Sequence, residues 1–391
     1  MTQTTVHWLS HASVIVRHGE DIFLCDPWYN VAFSSWTPFP PPAINQDVLI
    51  GLADKLKLVI SHGHGDHYDE KFLKQLGEVE SYVPDYKDKH MQKLMPKARL
   101  IAGRVKVGNC YLQAFESVHS AVIVIETPDA VVIHGNDVYQ LSAEITDDIL
   151  RNLPPLHEKP RFYMGQGGSA SGWPLRYRYT DEEKKIKSEW KRDDTLRKLC
   201  HLATKLEARA LPYACFARAT YNYTSWLPLA ASSKYANALC MTNRFVEMVP
   251  GDTYIPATNT IIAGLPTFDS TKYPATTSPY FGTTWGDVNR QFYAFMRGLD
   301  DCANKHNVRF AVVVNTTNGK VVEFAGKERN VNHKTCYVAG DVMRAVLLKM
   351  IPFTDLSTGY LAEWSRSPDV YNAEFLIELE NYGYEWQQNR T

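Results

Sequence analysis

Ser61-His62-Gly63-His64-Gly65-Asp66-His67 is the stretch that decides how this chain is read. Just before it, Leu56–Ile60 is an apolar run of the length of a buried strand. Just after it, Asp69–Leu76 opens like a helix, with acidic residues in its first turn. The histidines therefore fall where a strand hands over to a helix. His62 and His64 alternate, so an extended backbone turns both to one side. Asp66 and His67 come after the chain has begun to turn, within reach of a second position nearby. Imidazole nitrogens and carboxylate oxygens suit zinc, iron, manganese or cobalt. A solvated cluster that binds nothing is the competing reading. Three histidines and an aspartate behind a buried strand, in a chain with 13 histidines in all, argue against it.

Upstream, Thr5–Leu9, Ser13–Val16 and Asp21–Cys25 read as a meander of strands, stopped by Asp26-Pro27-Trp28. A loop follows over residues 29–47, with Phe33, Trp36 and the run Pro38-Phe39-Pro40-Pro41-Pro42. Ordered loops of this length serve as lids or binding walls, or as rigid covers for the core. On the first alternative Trp28 and Trp36 face substrate. Downstream strands are expected at Glu80–Val83, Arg99–Ala102, Tyr111–Glu116, Ala121–Glu126, Ala130–His134 and Arg209–Pro212. A charged helix should run from Thr180 to about Ala208, opened by a Thr-x-x-Glu capping box. Residues 256–286, rich in Thr, Pro and Ser, predict loops. Then come a helix over Asp287–His306, a strand over Arg309–Thr316 and a helix over Gly340–Met350.

The 391 residues fit two domains or one large one, with a boundary placed near residue 265. Hydrophobic residues at 45%, charged residues at 22% and a net charge of -1 describe an ordinary globular chain. They give no reason to expect nucleic acid or a membrane as partner. The seven cysteines are scattered and lack a C-x-x-C pair, which predicts a reducing compartment. No signal-peptide pattern and no apolar run of the roughly 18 residues a membrane helix needs are present. The expectation is a cytoplasmic protein acting on a small molecule.

The H-x-H-x-D-H pattern resembles that of the metallo-β-lactamase superfamily. His7-Trp8-Leu9-Ser10-His11-Ala12-Ser13 followed by Asp26-Pro27-Trp28 is similar to the start of that fold in its lactonase-like and phospholipase-D-like branches. The resemblance implies an α/β fold: a four-layer αββα sandwich over residues 1–265, with 266–391 as a C-terminal α/β extension packed on it. It implies His119, in Glu116-Ser117-Val118-His119-Ser120, as a third histidine beside His62 and His64. It implies Asp137, in Ile133-His134-Gly135-Asn136-Asp137-Val138, as a carboxylate spanning two ions, the second held also by Asp66 and His67. Asp66 and Asp137 become the candidate catalytic carboxylates. Two divalent ions follow, zinc or iron, with manganese as a further fit.

One departure stands out. The superfamily supplies a last histidine at the end of a late strand, and here Leu211-Pro212-Tyr213-Ala214-Cys215-Phe216 places Ala214 there. Gln166, His157, Cys215 or Glu116 could substitute by chemistry; water or substrate could fill the gap; or one metal is held. An open position and oxygen-rich ligation tilt the metal towards iron or manganese. The order of Gly165-Gln166-Gly167-Gly168-Ser169-Ala170-Ser171-Gly172-Trp173-Pro174, the charged helix and Arg366-Ser367-Pro368-Asp369-Val370-Tyr371-Asn372 resembles the metallo-β-lactamase-like region of CMP-N-acetylneuraminate hydroxylases. Those enzymes also carry a Rieske domain, whose paired Cys-x-His ligands are not found in this sequence. Gly167, Gly168 and Gly172 read either as an anion-holding loop or as a tight turn. Gln166, Gly168 and Arg176 join Trp28 and Trp36 as candidate substrate contacts, and Asp369, Tyr371 and Asn372 as residues that could close over the site. Two activities compete: a hydrolase in which a metal-bridged hydroxide attacks a polar or anionic small molecule, and a non-haem diiron oxygenase needing an external electron donor.

Overall fold

The computed structural model describes residues 2–117, 120–138, 141–168, 172–215, 217–219, 232–264 and 285–388. Leu56–Val59 buries three of its four side chains and pairs in parallel with Asp21–Cys25 and Glu80–Pro84. A strand covered on both faces reads as a continuous apolar run rather than an alternating one. Around it, among the described residues, an eight-stranded sheet runs in the order Thr260–Ile262, Thr253–Ile255, Thr5–Ser10, Ser13–His18, Asp21–Cys25, Leu56–Val59, Glu80–Pro84, Arg99–Ile101. Parallel neighbours need crossovers. The crossovers carry the short helices Gln46–Ile50, Glu70–Leu76 and His90–Leu94.

A six-stranded sheet faces the first, in the order Arg209–Tyr213, Arg161–Gln166, Val131–His134, Ser120–Glu126, Cys110–Ser117, Val105–Val107. Alternation along its strands assigns the two faces. Leu112, Ile123, Ile125, Val132, Phe162 and Met164 pack with Val14, Phe23 and Leu58 of the first sheet. Their neighbours Val122, Val124, Val131, Ile133 and Tyr163 turn the other way, onto Leu196, Leu199 and Leu202 of the helix Asp181–Lys205. The layers are therefore helix, sheet, sheet, helix, the mixed α/β arrangement expected. That long helix begins where the capping box predicted, with the Thr180 side chain on Glu183 N–H and the Glu183 carboxylate on Thr180 N–H.

The last third builds a four-stranded sheet: Gly319–Ala325, Val308–Thr316, Asn332–Ala339, Ala362–Ser367. Its core takes in Phe292, Phe295, Val342, Trp364 and Phe375, and also Tyr177 from before the charged helix. Two expectations need correction. The helix expected over Asp287–His306 is two, Arg290–Gly298 and Asp300–Lys305, with Leu299 as the joint. The stretch expected to be all loop contains Thr260–Ile262, an exposed edge strand paired with Thr253–Ile255. The boundary placed near 265 lies outside the described residues, as do His119, Ser169–Ser171 and Phe216.

Two tryptophans of the aromatic loop are buried. Trp36–Pro38 pairs with Ala217–Ala219, and Trp36 Nε1 donates to Thr358 O at 2.6 Å. Trp28, Ala32, Trp36 and Tyr360 form a small core of their own, with Leu175 and Phe33 against it. Asp69 accepts from Phe72 N–H to cap its helix, and from the backbone of Tyr29 and Asn30 at 2.8 Å each, which ties the loop to the helix beside the histidines.

Candidate metal centre

Every group of the site leaves the carboxyl end of a strand, where open α/β sheets gather ligands. His11 follows Thr5–Ser10, Asp26 follows Asp21–Cys25, residues 61–67 follow Leu56–Val59, Asp137 follows Val131–His134, and Ala214 follows Arg209–Tyr213. At four of these ends a non-glycine residue takes a positive φ: His11 at 42°, Asp26 at 43°, Asn136 at 38° and Ala214 at 52°. Such residues cost on the order of 1–3 kcal/mol apiece and persist where the surroundings impose them. Gly135, between His134 and Asn136, could not be otherwise: a Cβ there would stand 2.7 Å from the Tyr163 ring and 2.8 Å from Met164 O.

Asp26 is the hub. It is fully buried and accepts from Ser61 N–H at 2.7 Å, Ser61 Oγ at 2.6 Å, His67 Nδ1 at 2.8 Å and His134 Nε2 at 2.9 Å. Burial works to raise its carboxyl, and His134 and His67 outweigh that, holding it well below the usual carboxylate range. With Nδ1 of His67 donating to Asp26, the lone pair sits on Nε2, pointing away from the hub. Ser61 gives its hydroxyl proton to Asp26, so its oxygen accepts from His62 Nδ1, 2.9 Å away. That leaves the lone pair of His62 on Nε2, which lies 2.9 Å from His64 Nδ1. Burial, with the fields of His67 and His64, lowers His62 to about 4, so this imidazole is neutral near pH 7. Tyr213 donates to His134 Nδ1 at 2.6 Å and accepts from Asn136 N–H at 2.8 Å, closing the network under Asp137.

Around Asp137 the groups form two sets. Oδ2 lies 3.5 Å from His62 Nε2 and 3.8 Å from His64 Nδ1. Oδ1 lies 3.3 Å from His67 Nε2, which is 3.9 Å from Asp66 Oδ2. Asp66 Oδ2 is in turn 3.3 Å from His11 Nε2. The ligand atoms of His62, His64 and Asp137 lie within 4.8 Å of one another, and so do those of His11, His67 and Asp137. Both nitrogens of His11, His67 Nε2, Asp66 Oδ1 and Asp137 Oδ1 are buried with no hydrogen-bond partner. Each such orphan costs about 1–3 kcal/mol, more when charged. A cation held by His11, His67 and Asp137 would satisfy one nitrogen of His11, His67 Nε2 and Asp137 Oδ1, and oxygen-plus-imidazole donors suit zinc, iron or manganese. The residues present therefore fit a metal. Burial works to lower His67, and the carboxylates of Asp137 and Asp66 outweigh it, raising the imidazole above its ordinary value.

No protein-family model matches the chain. A stretch of 82 residues is 37% identical to a candidate Rieske 2Fe-2S iron–sulfur protein of Mycolicibacterium smegmatis; it spans 20% of this chain and 15% of that one. Among solved structures, a metallo hydrolase of Ignicoccus hospitalis is 15% identical with a TM-score of 0.41, covering 64% of this chain and 97% of its own. A metal-dependent hydrolase candidate of Veillonella parvula is 13% identical with a TM-score of 0.45, over 65% and 100%. A diiron β-hydroxylase of Streptomyces venezuelae is 14% identical with a TM-score of 0.41, over 62% and 51%. Likeness this loose says nothing of a reaction.

His62, His64, Asp66, His67 and Asp137 come together as expected in space, and the structure adds His11. Of the four substitutes considered for the missing histidine, His157, Glu116 and Cys215 join neither set. His157 and Glu116 are exposed, Gln166 is buried at its strand end, and Cys215 is buried outside both sets. His11 arrives instead from the hairpin turn, and its carbonyl accepts Ala214 N–H at 3.2 Å. The alanine thus abuts His11. The signal was a polar residue at the tip of a two-residue turn between apolar strands, paired through Ser10 and Ser13.

The substrate candidates are placed less simply. Trp28 is fully buried with its ring 5.1 Å from His11, and so backs a candidate ligand. Trp36 packs on Tyr360 with ring centroids 5.0 Å apart. Arg176 is buried and donates from Nε to Ala362 O at 3.2 Å. Gly167 needs no anion to explain it: a Cβ there would lie 2.7 Å from Pro212. Gly168 is buried directly after it. Asp369 is engaged by Tyr179, Lys187 and Arg366. Phe33 is the loop residue whose ring meets His64, at 6.1 Å.

Proposed function

We propose that the chain is a metal-dependent hydrolase with a two-metal centre, acting on a polar or anionic small molecule. His62, His64 and Asp137 would hold one ion, with His119 as the further ligand its sequence position suggests. His11, His67 and Asp137, with Asp66 beside them, would hold the other. The carrying observation is that Asp137 turns one oxygen to each set.

Bound ions supply Lewis acidity and bring the pKa of water towards neutrality. The protein's own groups do the rest. Asp66 Oδ1, buried and without a partner, is the atom placed to accept a proton from the attacking water. Asp26 and Ser61 fix the tautomers of His67 and His62. Trp28 closes the floor behind His11 to solvent. His64, with 53% of its side chain exposed, marks the mouth through which substrate enters. Glu380 accepts from Ser357 Oγ at 3.0 Å; burial raises its carboxyl, and Ser357 and the charge of His64 oppose that.

His11 also changes the choice of reaction. The case for iron leaned on the missing histidine and on the hydroxylase-like segments, and His11 would fill the position that histidine leaves open. The diiron oxygenase stays the second reading because one relative is named for a Rieske centre, whose iron–sulfur cluster would deliver electrons. Metal analysis after growth with iron, a spectrum before and after reduction and exposure to oxygen, and a panel of esters, lactones and phosphodiesters separate the two. The hydrolase reading predicts a redox-silent ion and turnover that Asp137→Ala abolishes. Two irons that cycle with oxygen, with no hydrolysis, would overturn it.

A further inference from the structure

Away from the metal centre, the four-stranded sheet places two cations directly opposite each other. Lys334 and Arg366 are register partners on the antiparallel strands Asn332–Ala339 and Ala362–Ser367. Like charges in that relation are destabilising. Both are also buried: Lys334 is 4% exposed, and the Arg366 side chain 6%. They line a cavity of about 370 Å³ together with His333, Val370, Tyr371 and Asn372.

The charge there is not balanced. Asp369 takes Arg366 Nε at 2.6 Å, but it also takes Lys187 Nζ at 2.7 Å and the Tyr179 hydroxyl at 2.5 Å. Arg366 Nη1 has no hydrogen-bond partner. Among the described residues no carboxylate pairs with Lys334, whose Nζ reaches only Asn372 O at 3.5 Å and the Phe375 ring at 5.4 Å. Glu374 also lines the cavity, but its side chain is 87% exposed and its ion-pair neighbour is His306, at 3.9 Å. Burial, and then the charge of Arg366, lowers Lys334 to about 8, so it remains largely protonated near neutral pH. Buried cations persist when something pairs with them.

We propose that this cavity is a binding site for a phosphate group carried by a small molecule, with Arg366 and Lys334 as the cations that line it. A doubly charged oxyanion answers two cations where a single carboxylate answers one. The cavity is large for a bare ion and falls within the range of about 300–1,000 Å³ typical of small-molecule pockets. Val370 and Tyr371, 60% and 66% exposed on its lining, offer apolar surface to the organic part.

Calorimetry on the metal-loaded chain, titrated with inorganic phosphate and with phenyl phosphate at fixed ionic strength, tests this. One saturable site per chain is expected, phenyl phosphate binding more tightly, with at least tenfold loss in Lys334→Gln and in Arg366→Gln. Because Arg366 also lies 5.4 Å from Trp173 and 5.2 Å from Tyr177, Arg366→Gln could fail to fold, and Lys334→Gln carries the test alone in that case. His64→Ala separates this site from phosphate on the metals: binding should survive it unchanged. No saturable binding, full affinity in Lys334→Gln, or loss in His64→Ala alone would each overturn the proposal.

Discussion

A single buried carboxylate, Asp26, sets the direction in which two imidazoles present their lone pairs. It accepts directly from His67, and through the Ser61 hydroxyl it fixes His62. Asn at this position offers one oxygen for four donors and turns an amide N–H towards a ring N–H. Partners of this sort typically contribute roughly 10–100-fold to metal affinity. Asp26→Asn should therefore release metal to a competing chelator at concentrations that leave the wild type loaded. A competition titration that superimposes on the wild type would show that the orientation of His67 does not depend on Asp26. His11 belongs to the same scale. It lies in the stretch whose resemblance to the superfamily was legible in the sequence, yet its role was not. The residues of the H-x-H-x-D-H pattern are neighbours in sequence, whereas His11 meets Asp66 and His67 only after the first hairpin joins Leu56–Val59 in one sheet through Asp21–Cys25.

Among the elements, the joint between the aromatic loop and the segment 353–361 is where stability should depend on pH. Asp355, in the short helix Phe353–Leu356, is 1% exposed; its Oδ2 accepts from Ser34 and its Oδ1 has no partner. Burial raises it to about 7, the Ser34 hydroxyl opposing. In the unfolded chain an aspartate titrates near 4, roughly, so between the two values the folded state holds the extra proton. Stability then falls as pH rises through that window and stays reduced above it. Asp355→Asn should gain thermal stability over the wild type as pH rises from about 5 to about 8. A difference in melting temperature that is flat or reversed across that range would mean the carboxyl is not buried as described. The strands of the two large sheets were mostly legible, because short apolar runs punctuated by turns carry their own signal. Asn332–Ala339 and Ala362–Ser367 were missed: they alternate charged and polar residues with apolar ones and lack the aliphatic run that marks Val308–Thr316.

At the scale of the whole molecule, three segments far apart in sequence converge beside the metal centre. Trp28, Ala32 and Trp36 come from the aromatic loop, Leu175 from the stretch after the glycine run, and Tyr360 from the last third. Ser35 Oγ to Gly359 O and Trp36 Nε1 to Thr358 O fasten that meeting. The last third, where Asp369, Tyr371 and Asn372 were the residues expected to close over the site, meets the aromatic loop through Thr358, Gly359 and Tyr360. Among the described residues no helix is long and apolar enough to cross a membrane. What the arrangement as a whole predicts is two ions sharing Asp137, with His11 serving one of them. Elemental analysis of the purified His11→Ala chain, its fold checked by circular dichroism, tests this most directly. The account predicts one ion per chain in the variant where the wild type holds two; a folded variant that still holds two would contradict it.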